Sequence, residues 1–171
     1  MPTHCPPGGL LCCGEAPGRD EDALGIGFAG RAGRKLNTIL AEHGLLRERD
    51  FGVANACRCW PEGNRKPSPL EIANCRPLLM ASIAEMRPSV ILLVGGSAAV
   101  AVLDTKTPLF DLIQATPSIP ITANGHPCIA VAMPHVSPLA WNRFAPNGER
   151  WSEIGKRQVV LAVSLSRKAP I

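Results

Sequence analysis

Residues 14–33, with the sequence GEAPGRDEDALGIGFAGRAG, gather the side chains of a binding pocket into one short stretch. Gly14 and Gly18 let the backbone turn sharply and approach a ligand closely. Carboxylates follow them, and Phe28 adds a flat apolar surface beside these polar groups. This combination is typical of a ligand pocket rather than of a connecting loop.

Two later stretches carry further side chains suited to recognition or catalysis, residues 55–77 and residues 134–139. The first begins with Asn55, whose amide offers both a hydrogen-bond donor and an acceptor. The second contains His135. Taken alone, Asn55 is also explained as a strand-end residue that satisfies backbone groups, and a lone histidine is commonly structural.

The chain has seven cysteines. Their odd number and the lack of a leader typical of secreted proteins argue against a disulfide framework. Buried apolar thiols and a metal centre are the remaining alternatives. Cys12 and Cys13 lie in an apolar run and are predicted to be core thiols.

Apolar patterning predicts strands that alternate with helices. We expect strands at 10–13, 51–57, 90–94, 119–122 and 128–133, and helices at 33–43, 68–86, just after 95–97, and at 149–167. Ser68, Pro69 and Glu71 form a helix-start signal. The Asn124-Gly125 pair predicts a hairpin that leads into the last core strand.

These elements predict an α/β fold, a three-layer α/β/α sandwich with a central, mostly parallel four-stranded sheet. In such folds ligands bind at the carboxyl ends of the strands. The loops that follow the strands near Cys13, Cys57 and Met133 should therefore converge. They are the loops that carry the candidate side chains.

Composition indicates one globular domain over residues 1–171, with 46% hydrophobic and 19% charged residues. The net charge of +4 is compatible with a nucleic-acid partner but is too small to identify one. No apolar run reaches the length of a membrane span, so we expect a soluble, intracellular, cytoplasmic protein with no membrane partner.

Residues 14–33 resemble the first motif of the family-4 uracil-DNA glycosylases, with Gly27 where that family usually has proline. Residues 55–77 (NACRCWPEGNRKPSPLEIANCRP) resemble a second segment of the same family. Residues 134–139 are similar to the His-Pro-Ser motif of the wider superfamily, with Val136 in place of the proline. The resemblance implies the uracil-DNA glycosylase-like form of the predicted fold.

The resemblance also implies roles for individual residues. Asn55 would read the uracil edge, Phe28 would stack on the extruded base, and Ala16 would line the uracil site. Few apolar residues surround Phe28 in sequence, so stacking explains it better than core packing. His135 would stabilise the negative charge that gathers on uracil O2 in the transition state.

The catalytic carboxylate is harder to assign, because Ala16 occupies the position where the best-known branch of the superfamily has a water-positioning aspartate. Glu15 and Glu21 match family-4 positions. Glu21 is our candidate for orienting the attacking water, with a solvated loop acid as the alternative.

Contacts with DNA are implied for a further group of residues. Leu139 would fill the hole that the flipped nucleotide leaves. The other residues expected to contact DNA are Asn64, Arg65, Ser137 and Arg143.

The family's iron-sulfur cluster can be traced only in part. Cys59 and Cys75 match the second pair of ligands by position and by their spacing. The family's first pair lies upstream of the point where this sequence starts. Cys5, alone or with His4 or Cys57, is the substitute we consider; otherwise a 4Fe-4S cluster is absent or the chain is truncated.

The sequence thus predicts a monofunctional uracil-DNA glycosylase of base excision repair. It would flip deoxyuridine out of single- or double-stranded DNA and hydrolyse the glycosidic bond, acting as a monomer. One alternative is an inactive or altered-specificity DNA-binding member of the fold. Another is a dinucleotide-binding oxidoreductase, because Gly25, Gly27 and Gly30 satisfy the pattern G-x-G-x-x-G.

Overall fold

The computed structural model describes residues 4–168. Its strands are β1 (Leu10–Gly14), β2 (Phe51–Asn55), β3 (Val90–Val94), β4 (Ile119–Ala123) and β5 (His126–Met133). They form a single sheet in the order β2-β1-β3-β5-β4, and every neighbouring pair is parallel except β4 and β5. The predicted mostly parallel sheet is confirmed, with five strands rather than four.

The fifth strand arises from the hairpin at Asn124-Gly125. Ala123 pairs with His126 across that turn, so β4 adds an antiparallel edge to β5. The burial pattern of β4 is that of an edge strand: its first four residues alternate between partly buried and exposed. An edge strand covered on one face has that pattern, unlike the continuous apolar run of β3.

Seven α-helices surround the sheet within the described residues. They are α1 (Arg19–Leu24), α2 (Arg31–Ala41), α3 (Pro69–Met86), α4 (Gly96–Leu103), α5 (Leu109–Ala115), α6 (Pro138–Trp141) and α7 (Trp151–Lys168). The start of α3 is as predicted, because the Ser68 and Glu71 side chains each accept from the other residue's backbone N–H. The short helices α1, α5 and α6 were not predicted.

The alternation of side chains along β1 creates the two halves of the core. Leu11 and Cys13 face the layer formed by α3 and α4, whereas Leu10 and Cys12 face α2 and α7. Both faces of the sheet are therefore covered by helices, which gives the three-layer sandwich expected from the sequence.

The carboxyl ends of the parallel strands meet at one edge of the sheet. Gly14 at the end of β1 is in register with Asn55 at the end of β2, and Val94 of β3 with Met133 of β5. Backbone hydrogen bonds extend beyond the strands, from the Cys57 N–H to the Glu15 carbonyl and from the Gly95 N–H to the Met133 carbonyl. The loops that follow the strands are thereby held together.

Candidate active site

The absence of a side chain at Gly14 brings two candidate residues together. A Cβ atom at this position would lie 2.6 Å from Phe28 Cζ and 2.7 Å from Asn55 Oδ1. These distances are too short for a Cβ atom, so only glycine allows Phe28 and Asn55 to meet over the end of β1. The structure therefore juxtaposes the aromatic ring and the amide that the sequence assigned to the base site.

Phe28 is packed into the core, whereas the sequence favoured base stacking over core packing as the explanation for it. Its side chain is only 8% exposed and belongs to the core cluster on the α2 and α7 side of the sheet, so core packing does contribute to its burial. Its neighbours are distant in sequence, and this is why the local pattern did not reveal them. The backbone of Phe28 has φ of +57°, a left-handed conformation that is rare for a bulky residue and often marks functional loops.

His135 follows β5 and is held in one tautomer. The Ser137 N–H donates to His135 Nδ1 at 3.2 Å, so that nitrogen must carry the lone pair. Burial lowers the pKa of His135 below its ordinary value, and the nearby Glu15 charge opposes this shift only in part. A neutral ring with its proton on Nε2 is the consequence. Within residues 4–168 Nε2–H has no hydrogen-bond acceptor, so it can donate to a ligand.

Glu15 is bound by a residue that the sequence analysis did not name. Ser97, at the start of α4, donates its hydroxyl to Glu15 Oε2 at 2.6 Å. The available signal was the Gly95-Gly96-Ser97 turn directly after β3, because that turn also lies at the carboxyl edge of the sheet. The structure thus brings Glu15, Ser97 and His135 into one group.

Glu21 is held by backbone N–H groups of its own loop. One of its carboxylate oxygens accepts from the Gly30 N–H at 2.8 Å, and the other accepts from the Gly18 N–H at 3.1 Å. Glu21 therefore ties together the two ends of the loop that carries α1. Because both oxygens are engaged by the backbone, this arrangement favours a loop-holding role over orientation of water.

Two of the predicted DNA contacts are engaged within the protein. Asn64 Oδ1 accepts from the Trp60 indole N–H at 2.7 Å and from the Arg19 N–H at 3.2 Å, so it joins the loop after β2 to α1. Arg65 forms a two-pronged ion pair with Glu71, and its guanidinium lowers the pKa of that carboxyl to about 2. Both residues organise the loop that leads into α3.

The segment after His135 presents its side chains to solvent. Leu139 on α6 is 70% exposed, and Arg143 and Phe144 are also exposed. Ser137 caps α6 by accepting from the Ala140 N–H. Ala16, the remaining predicted site residue, is partly buried against the core on the α3 and α4 side.

The cysteines do not form a metal site in the described part of the chain. Across residues 4–168 no three His, Cys, Asp or Glu side chains come together in a way that could hold a metal ion. Cys59 is exposed, whereas burial and the neighbouring Cys75 raise the pKa of Cys57 to about 12. Residues 4–168 by themselves therefore do not supply the full ligand set that an iron-sulfur cluster needs.

Cys5, the substitute ligand that we considered, lies in the core. It is only 3% exposed, packs against Gly52 of β2, and points its thiol at the Leu10 carbonyl 3.4 Å away. Burial raises its pKa to about 11, which disfavours the thiolate that a cluster requires. Cys12 and Cys13 are fully buried, as predicted for core thiols.

The dinucleotide-binding interpretation is wrong in this fold. That motif requires a strand directly before its first glycine. Here Gly25 terminates helix α1 with φ of +68°, and no strand intervenes.

A cavity of about 980 Å³ lies elsewhere, beside Val90 and Ile129 near the amino ends of β3 and β5. It shares no residue with the site described above. Within residues 4–168 no helix is both long and apolar enough to cross a membrane.

Comparison with known proteins identifies the family. A model of the uracil DNA glycosylase superfamily matches residues 2–155. The chain is 43% identical over 103 residues to the type-4 uracil-DNA glycosylase of Archaeoglobus fulgidus, covering 60% of this chain and 49% of that relative. It is 38% identical over 108 residues to the type-4 uracil-DNA glycosylase of Thermotoga maritima, covering 63% and 56%.

A third type-4 uracil-DNA glycosylase, from Pyrobaculum aerophilum, is 35% identical over 96 residues, which cover 56% of this chain and 48% of that relative. The chain therefore spans about half the length of the curated relatives it matches. The superfamily model matches most of the sequence, and the fold brings the loops after β1, β2 and β5 to one edge of the sheet. The chain therefore belongs to the uracil DNA glycosylase superfamily.

Proposed function

We propose that this protein is a uracil-DNA glycosylase that removes uracil from DNA and leaves an abasic site for base excision repair. The observation that carries this proposal is the meeting of Phe28, Asn55 and the Glu15–His135 group at the carboxyl edge of the sheet. The names of the similar proteins support it. We further propose a single domain that acts as a monomer.

Recognition of the base follows from the chemistry of Asn55. Its Nδ2–H donates to uracil O4, and its Oδ1 accepts from uracil N3–H. Cytosine presents the opposite order, a donor on the C4 amino group and an acceptor at N3. The Asn55 amide in this orientation therefore does not pair with cytosine. Phe28, whose ring lies beside the amide, contacts the face of the extruded base.

Cleavage of the glycosidic bond rests on His135. When the bond between C1′ and N1 breaks, its electron pair passes to uracil and negative charge gathers on O2. The neutral ring donates its Nε2–H to that oxygen, a stabilisation that needs no reorganisation because Ser137 already fixes the ring. A positively charged ring is not required, in agreement with the lowered pKa of His135.

Water completes the reaction at the sugar. Glu15 is the carboxylate beside His135, and we assign it, instead of Glu21, to orient the water that adds to C1′. Glu15 accepts a proton from that water as the new bond forms, and the uracil anion is protonated after release. No step uses an iron-sulfur cluster.

The DNA itself is contacted by exposed residues around the site. Leu139 fills the space that the flipped nucleotide leaves, and Arg143 meets a backbone phosphate. Ser137, Asn64 and Arg65 contribute through the loops that they order.

The test is uracil release from a labelled single-stranded oligonucleotide that contains one deoxyuridine, detected as alkali-sensitive abasic sites. A thymidine oligonucleotide is the matched control. Sites that depend on uracil support the proposal. DNA binding without excision by folded protein contradicts it, and indicates an inactive DNA-binding member of the superfamily.

A further inference from the structure

Ser97 occupies a position from which it can control the Glu15 carboxylate. It is only 2% exposed and is the second residue of α4, in the turn that follows β3. Its hydroxyl donates to Glu15 Oε2 at 2.6 Å. A short hydrogen bond to a carboxylate oxygen in a partly buried setting is among the stronger ones in proteins, so it restricts rotation of the carboxylate.

The same turn also contacts His135. Gly95 has φ of +95°, and a Cβ atom there would lie 3.3 Å from His135 Cβ. The Gly95 N–H is bonded at 2.9 Å to the carbonyl of Met133, which ends β5. The turn over residues 95–97 therefore connects the Glu15 loop with the His135 loop, although it belongs to neither.

The Glu15 backbone is anchored independently of Ser97. Its carbonyl accepts from the Cys57 N–H at 2.9 Å, at the end of β2. With the main chain held on one side and Oε2 held on the other, the carboxylate has one defined orientation. Among the described residues, nothing donates a hydrogen bond to Oε1, so that oxygen is left for water.

We propose that Ser97 is a positioning residue of the glycosylase, which holds Oε2 of Glu15 so that Oε1 faces the attacking water. The inference rests on the proposed function. Ser97 itself touches neither the base nor the sugar and acts only through Glu15. Loss of its hydroxyl should therefore slow the chemical step and leave DNA affinity unchanged.

A double-mutant cycle separates this role from a general structural one. Single-turnover uracil release is measured for wild type, Ser97→Ala, Glu15→Gln and the double variant, together with the affinity for uracil-containing DNA. We expect Ser97→Ala to slow release about 10-fold or more, with affinity changed less than about twofold. In the Glu15→Gln background, the same substitution should change the rate less than about twofold.

Ser89→Ala is the matched control, because Ser89 donates to the Gly8 carbonyl at the opposite end of β3. It should leave the rate unchanged. If Ser97→Ala does not fold, Ser97→Cys preserves the size of the side chain and a weak donor, and the cycle is run with it. Additive effects of the Ser97 and Glu15 substitutions, or a Ser97 variant with full activity, would overturn this inference but not the proposed function. A wild-type protein without uracil release overturns the proposed function as well.

Discussion

Asn55 shows how much one side chain can decide about the substrate. It is half-buried at the end of β2, and its Oδ1 lies against Gly14, where the Phe28 ring also lies. A buried amide that loses its partner is costly, so a base without the matching donor and acceptor pattern binds poorly. Under the proposed function, we therefore expect base selection to depend on this residue.

Replacement of Asn55 by alanine should reduce uracil release at least about 10-fold, because both hydrogen bonds to the base edge are lost. Steady-state kinetics on a deoxyuridine oligonucleotide measures the effect. Asn37→Ala is the control, since Asn37 is also half-buried but lies on α2, with Oδ1 unpaired. Equal activity of the Asn55 variant and wild type would remove the residue from the site.

The burial of His135 makes folding depend on pH in a defined direction. Its pKa is lower in the folded protein than the ordinary value of about 6.5, so below that pH the unfolded chain binds more protons. The free energy of unfolding should therefore fall as the pH drops from about 6.5 through the lower folded-state pKa.

Urea unfolding of wild type and His135→Asn measures this effect between pH values about 1.5 units below and about one unit above the ordinary pKa. The difference between the two proteins isolates His135 from the other histidines. We expect the wild type to lose more stability on acidification than the variant. Parallel curves would mean that His135 is not buried in its neutral form.

At the scale of elements, the loop from β1 to α2 depends on one carboxylate. Glu21 joins Gly18 to Gly30 by two backbone hydrogen bonds, although the two glycines lie on opposite sides of α1. This helix buries none of its own residues, so apolar packing does little to hold it. The position of Phe28 then depends on the Glu21 bridge.

Glu21→Gln should lower the free energy of unfolding by about 1–3 kcal/mol, because an NH₂ group replaces one of the acceptor oxygens. Uracil release should fall with it as the loop loosens. Thermal unfolding is the measurement, and Asp22→Asn, an exposed acid on the same helix, is the control. A Glu21 variant as stable as wild type, but without activity, would instead return Glu21 to the role of orienting water.

Helix α6 carries Leu139, which we propose fills the gap left by the flipped nucleotide in duplex substrates. Leu139 is 70% exposed, so its truncation should change the free energy of unfolding by less than about 0.5 kcal/mol. Leu139→Ala should reduce excision from duplex DNA severalfold more than from single strands, where no base stack must be refilled. Leu46→Ala, 49% exposed just before β2, is the control. An equal loss on both substrates would contradict the wedge role.

At the scale of the whole molecule, the net charge of +4 is modest, so its effect on DNA binding depends on where the positive side chains lie. Arg143 is exposed on the segment that carries Leu139, whereas Arg49 is paired with Asp50 in the loop before β2. Each substitution to glutamine removes one positive charge, but only Arg143 should meet a phosphate.

Arg143→Gln should reduce the slope of log affinity against log salt concentration by about 1, as expected for one lost phosphate contact. Arg49→Gln should leave the slope unchanged. Fluorescence anisotropy with a labelled oligonucleotide at several salt concentrations gives both slopes. An equal change of slope in both variants would show that DNA binding depends on total charge and not on a phosphate contact at Arg143.

Much of this protein is determined by signals local in sequence. The Ser68–Glu71 signal defines the start of α3, and the aliphatic run of β3 defines a central strand, because both depend only on residues a few positions apart. The alternation of strands and helices predicts the three-layer fold and the edge where the candidate loops meet. Asn55, His135 and Glu15 lie at that edge, but their roles were implied by the resemblance to the family-4 uracil-DNA glycosylases.

Only the tertiary structure decided how those residues are used. The backbone N–H groups of Gly18 and Gly30 donate to Glu21, and the Ser97 hydroxyl donates to Glu15. Phe28 and Cys5 are buried in the core. Ser97 and Glu15 are separated by 82 positions, and no spacing rule links residues that far apart. Such contacts depend on which loops the folded sheet brings to one edge, and that is a property of the packed chain rather than of any segment.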